Sequence, residues 1–107
     1  MIARHWTGET LESHADTYGR YLEETGVKEI RAAQGNQSVW LMRRVRDGRA
    51  EFMVLSLWDS IESIKTLAGP EYERAVYYPE DENFLLRLDP LVTHYEVLVV
   101  PHARCRN

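Results

Sequence analysis

The chain has little sulfur chemistry to offer. Its 107 residues contain one cysteine, Cys105, in a polar C-terminal stretch, which excludes an intramolecular disulfide. No apolar run approaches the roughly 20 residues that a membrane helix needs. The opening MIARHW has none of the apolar stretch that marks a secretory leader. The four histidines, at 5, 14, 94 and 102, have no metal-ligand spacing. There is no Gly-rich phosphate loop, no nucleophile motif and no internal repeat. A net charge of −4 removes any global electrostatic case for nucleic acid. Together these absences point to a cytoplasmic protein without a metal, nucleic acid or membrane as partner.

What is present suits a single core. The sequence is 44% hydrophobic and 28% charged, and no linker divides it. One domain is expected over residues 1–100, followed by a tail at 101–107. A chain of this size leaves little room for a private interior cavity. A small-molecule pocket is therefore expected between two subunits.

Residues 2–8 read as a strand that stops at Gly8. From Leu11 the period changes, with Leu11, Ala15, Tyr18 and Leu22 on one helical face, Thr10 as N-cap and Gly26 as the stop. Val27 and Ile30 suggest a short irregular continuation, and Gln34-Gly35-Asn36 a loop. Ser38–Arg46 and Arg49–Trp58 read as strands joined by Asp47-Gly48, the strongest hairpin signal in the chain. Asp59 with Glu62 fits a capping box, opening a helix through Ile61, Ile64 and Ala68. A second short helix is expected over Glu71–Tyr78, with Tyr72 and Val76 one turn apart. After an acidic loop at 80–82 comes a last strand, Val92–Val100.

The order β-α-β-β-α-β predicts an α+β fold of the ferredoxin-like kind, a four-stranded antiparallel sheet with both helices on one face. In the third strand both alternating sets are apolar, so neither face of the sheet reads as solvated. Met53, Leu55, Leu57, Val97 and Val99 are assigned to the helix-covered core. Arg4 argues for this choice, because a buried unpaired charge is costly. The second face then holds Arg4, Trp6, Phe52, Val54, Trp58, His94 and Glu96, and a homodimer packed sheet on sheet would cover it.

Three segments, MIARHW, EFMVLSLWDSIESIKTLAGPEYERAVYYPE and HYEVL at 94–98, resemble the antibiotic biosynthesis monooxygenase family of the dimeric α+β barrel superfamily. The resemblance implies a homodimer and oxidoreductase chemistry without a bound cofactor. It is carried over residue by residue. Members that oxidise polyketide anthrones have the Trp that matches Trp58 at their cavity. Their Asn four residues earlier is Val54 here, their Tyr six residues later is Ile64, and their helical Arg falls nearest Tyr78, with Arg74 one turn away. Haem-degrading members differ further. Met1–Gly8 contains no Asn, their helix Trp matches Leu67, and their haem-ligating His matches Tyr77 or a neighbour.

The residues present suggest a cofactor-independent monooxygenase-like protein acting on a small aromatic or polyketide-like molecule. His94 is the expected proton acceptor and Arg4 the expected oxyanion donor. Trp6, Trp58, Tyr77 and Tyr78 are expected to bind the substrate. The alternative is a non-catalytic dimer that binds a small molecule or stabilises a partner. On that reading Trp58 is a packing anchor, Arg4 pairs with Glu96 and His94 is an ordinary sheet residue. Arg43, Arg44, Arg46 and Arg49 form either a solvated hairpin tip or a dock for the acidic segment 80–82 of a partner subunit.

Overall fold

The computed structural model describes residues 1–100; the expected tail at 101–107, with His102 and Cys105, lies outside the described residues. Four antiparallel strands form one sheet: β1 (Ile2–Leu11), β2 (Asn36–Arg46), β3 (Arg49–Trp58) and β4 (Thr93–Glu96), in the order β2-β3-β1-β4. β1 runs three residues past Gly8, so Thr10 lies fully buried inside a strand and caps nothing. The Asp47-Gly48 turn has positive φ at both residues, 55° and 76°, as a two-residue hairpin of this hand requires.

The first crossover begins with a single tight turn at Glu12–His14 and continues as α1 (Ala15–Leu22). A wider π-helical turn at Glu23–Val27 then leads into α2 (Lys28–Ala32). Tyr18 and Leu22 carry the apolar stripe into the core, and Tyr18 meets Phe52 edge-on at 5.3 Å. α3 (Ile61–Ala68) follows β3, with Ser60 rather than Asp59 as N-cap. The Ser60 hydroxyl accepts from the Ser63 N–H, while Asp59 accepts from the Ser63 hydroxyl at 2.5 Å.

Two expectations fail here. The helix over Glu71–Tyr78 does not form. This stretch is a turn followed by extended chain, bridged to the segment before β4 by Ala75 N–H to Pro90 O and Val92 N–H to Glu73 O, both 2.9 Å. The last strand ends at Glu96, leaving Leu98 and Val99 exposed.

The assignment of faces is reversed. Ala50, Phe52, Val54, Ser56 and Trp58 are buried on the helix-covered side, where they pair across the sheet with Thr10, Gly8, Trp6, Arg4 and Ile2. Met53, Leu55 and Leu57 lie on the open side with Trp40, Met42 and Tyr95, the last three well exposed. Alternation could not choose between two apolar sets, and Arg4 tipped the choice wrongly. It does lie under cover, because main-chain carbonyls receive its charge there.

The hairpin-tip arginines pair within the chain: Arg43 with Asp16 (2.8 Å), Arg44 with Glu51 (2.6 Å), Arg49 with Glu9 (3.2 Å) and, more loosely, Arg46 with Asp47 (3.9 Å). These are exposed pairs worth little in stability.

Candidate functional site

β1 places Arg4 and Trp6 two residues apart on the covered face, and β4 places His94 directly beside Arg4. Arg4 is only 6% exposed. One terminal nitrogen, Nη1, donates to the Tyr72 carbonyl at 2.5 Å and lies 3.0 Å from His94 Nε2; the other, Nη2, donates to the Arg74 carbonyl at 3.2 Å. Those carbonyls are free because 71–78 is not helical; a helix would have used them for its own bonds. No ion pair among the described residues includes Arg4, and Glu96 does not reach it. Burial without a counter-charge lowers the Arg4 pKa to about 10, so the group stays cationic at neutral pH.

A guanidinium has only donors, so His94 Nε2 must accept and the neutral ring carries its proton on Nδ1. The His94 pKa is lowered, first by burial and then by the Arg4 charge, with exposed Glu73 opposing. The Tyr72 ring packs edge-on against it at 5.2 Å. The free imidazole base expected at 94 is therefore absent: the lone pair that would take a proton is held by Arg4.

The linkage has a definite sign. The folded-state pKa lies below the ordinary 6.5, so the unfolded chain binds more protons as pH falls through that value, and stability is lost there. Urea unfolding between pH 7.5 and 5.5 is expected to show a shallower loss for His94→Gln than for the wild type. Equal slopes would remove His94 from the account.

Arg4 and Trp6 form part of the wall of a cavity of about 80 Å³ that also touches Val54, Leu67, Tyr77 and Tyr78. The cavity lies within one chain, between sheet, first crossover and the 71–92 segment, and needs no second subunit to form its walls. It is small beside the roughly 300–1,000 Å³ of drug-sized sites. Trp6 donates from Nε1 to the Tyr77 hydroxyl at 3.2 Å, and that hydroxyl donates to the Asp89 carbonyl at 2.7 Å. The Tyr78 hydroxyl donates to Glu29 of α2, which also borders the cavity.

The fold brings together four of the residues expected at the site: Arg4, Trp6, Tyr77 and Tyr78. His94 is one contact behind them. Trp58 is not among them. It is fully buried, donates from Nε1 to the Ser56 hydroxyl at 2.9 Å and does not border the cavity.

Asp81 was missed. It is 3% exposed, borders the cavity, and accepts from the Tyr18 hydroxyl (2.8 Å) and the Tyr78 N–H (2.7 Å). The signal was a proline at 79 followed two residues later by an acid, a helix-start pattern; the short turn of helix at Pro79–Asn83 follows from it. Burial and then the Asp81 bond raise the Tyr18 pKa. Burial, followed by Glu29, raises that of Tyr78, and burial raises that of Tyr77. All three phenols stay protonated at neutral pH and keep their O–H as a donor. Among the described residues no group of acids, histidines or cysteines could hold a metal ion, and no helix is long and apolar enough to cross a membrane.

The sheet order, crossovers and covered face define a ferredoxin-like α+β domain with a cavity between sheet and covering segments. No protein-family model matches the sequence, and no curated protein matches it. Solved structures do match. A candidate antibiotic biosynthesis monooxygenase from Deinococcus radiodurans is 20% identical with a TM-score of 0.67, over 98% of this chain and 100% of that one. One from Bacillus cereus is 18% identical with a TM-score of 0.66, over 95% and 97%. A variant of MhuD with two manganese protoporphyrin IX molecules per active site is 15% identical with a TM-score of 0.55, over 96% and 100%. The chain therefore resembles the antibiotic biosynthesis monooxygenases in fold over nearly its whole length.

Proposed function

We propose that the protein is a cofactor-independent monooxygenase-like enzyme for a small aromatic or polyketide-like molecule that reacts as its anion. The observation that carries this is Arg4: a buried cation without a carboxylate partner among the described residues, in the wall of an aromatic cavity. A substrate anion would supply the missing charge. The names of the fold neighbours support the reaction class; fold alone does not decide it.

Oxygenation of an activated methylene balances without an outside reductant: R–CH2–R′ + O2 gives R–C(=O)–R′ + H2O. The O–O bond breaks, one oxygen forms the carbonyl, and both hydrogens leave as water. The electrons come from the substrate. Arg4 holds the enolate or phenolate oxygen and lowers the cost of losing the proton. Trp6 and Tyr77 hold the ring and keep water off it. His94 is a positioning residue that orients Arg4. Trp58 is a packing anchor.

One observation favours a second reading, a small-molecule binder without turnover: among the described residues no free imidazole borders the cavity. The two separate on oxygen uptake with a panel of enolisable phenols and cyclic diketones. The enzyme reading expects substrate-dependent O2 consumption that falls at least 100-fold in Arg4→Met. Binding without O2 uptake, or uptake unchanged in that variant, overturns it.

The open face, with Trp40, Met42, Leu55 and Tyr95, is the proposed homodimer surface, covering apolar area that a lone chain leaves wet. Sedimentation of the same preparation is expected to give twice the chain mass, and a monomer at micromolar concentration would remove the dimer.

A further inference from the structure

We infer that the cavity takes a single-ring molecule bearing two oxygens that share one negative charge, a carboxylate or an enolised 1,3-dicarbonyl, gripped side-on by Arg4. The inference rests on the anion-binding part of the preceding reading and names the class of ligand.

A guanidinium has five N–H groups in a rigid plane. Nη1 spends two, on the Tyr72 carbonyl and on His94 Nε2; Nη2 spends one, on the Arg74 carbonyl. Two remain, Nε–H and the second Nη2–H, on neighbouring nitrogens. No buried side-chain nitrogen or oxygen among the described residues lacks a partner. Nε has no bond among the described residues, so it reaches open space, and Arg4 borders this cavity. Two adjacent donors on a fixed fork match two oxygens of one planar anion, the geometry that gives arginine its preference for carboxylates. The three bonds already made lock the rotation of the fork, so little ordering remains to be done on binding.

The rest of the wall sets the body of the ligand. Trp6, Val54, Val76 and Tyr77 offer ring faces and methyl groups. A volume of about 80 Å³ is smaller than the roughly 150 Å³ cavity that holds benzene, so one ring would sit partly outside it and three fused rings almost wholly outside. Tyr78 and Glu29, joined by a hydrogen bond, also line the cavity, and the Glu29 carboxylate would repel a second negative group.

Titration calorimetry with benzoate, benzamide and 9-anthracenecarboxylate tests this on the intact protein. Benzoate is expected to bind at least tenfold more tightly than its uncharged isostere benzamide and than the three-ring acid. Arg4→Lys keeps the charge but loses the fork, and should weaken benzoate at least tenfold with an unchanged circular dichroism spectrum. The wild-type comparison of benzoate with benzamide does not depend on how that variant folds. Equal affinity for benzoate and benzamide, or no benzoate binding at 10 mM, overturns the two-oxygen site; equal affinity for the three-ring acid overturns the size limit. Benzoate binding in a protein that consumes no O2 with any phenol or diketone would sink the oxygenase reading and leave this one standing.

Discussion

Gly35→Ala is expected to be among the most damaging single substitutions in the chain. Gly35 has φ +92°, and its carbonyl accepts the Asp59 N–H at 2.9 Å, tying the start of β2 to the junction of β3 and α3. A Cβ there would overlap Ser63 Oγ and Cβ and stand 2.7 Å from Asp59 Oδ1. Those atoms belong to the network that caps α3, so they cannot swing aside without undoing it. Left-handed backbone costs an ordinary residue about 1–2 kcal/mol, and forced overpacking adds about 1–3 kcal/mol. A loss of roughly 3 kcal/mol follows, which for a domain of this length lowers the melting temperature by about 12 °C or more. Gly26→Ala is the control: nothing lies within 4 Å of a Cβ there, and the change should be neutral or slightly stabilising. Urea unfolding of both variants gives the comparison. A Gly35→Ala protein within 1 kcal/mol of the wild type would show that the close approach is not real.

Asp81→Ala should cost as much. It strands the Tyr18 hydroxyl in the core and the Tyr78 N–H at the cavity wall, two donors that now point at a buried carboxylate. Hydrogen bonds to a charged group are worth about 1.5–3 kcal/mol each, so the pair sets the loss at about 3–6 kcal/mol. A double-mutant cycle with Tyr18→Phe isolates the first bond, with an expected coupling of about 1.5 kcal/mol or more. Asp81→Asn should fall between, since its oxygen can still accept from Tyr18 while its amide faces the Tyr78 donor. Additive single changes would mean that the two side chains do not interact.

The parts of the fold that the sequence disclosed were those set by neighbours in the chain. Asp47-Gly48 has the turn chemistry for its hairpin, and the alternation of 49–58 is the strand itself. What escaped depended on distant partners. Tyr72 and Val76 have helical spacing, yet the backbone of 73–75 pairs with residues 90–92 instead. The covered face of the sheet could not be read because both faces are apolar. Arg4 appeared unfit for burial only while the stretch that solvates it was taken for a helix. The two errors have one cause. Asp81 was hidden in an acidic run that reads as a solvated loop, although Tyr18 lies 63 residues away in sequence and meets it directly.

The carbonyls of Tyr72 and Arg74 give the anion site an unusual pattern of tolerance. Every residue type has a carbonyl, so the identity at 74 is free to drift while the receptor for Arg4 stays intact, whereas Tyr72 is also held by its ring against His94. Length is another matter. Removing or adding one residue between 71 and 75 would turn those oxygens away and leave the guanidinium without its cradle. Related chains that share the site would therefore keep the count of residues in this loop better than its spelling. An insertion there would mark a change of ligand more reliably than a substitution.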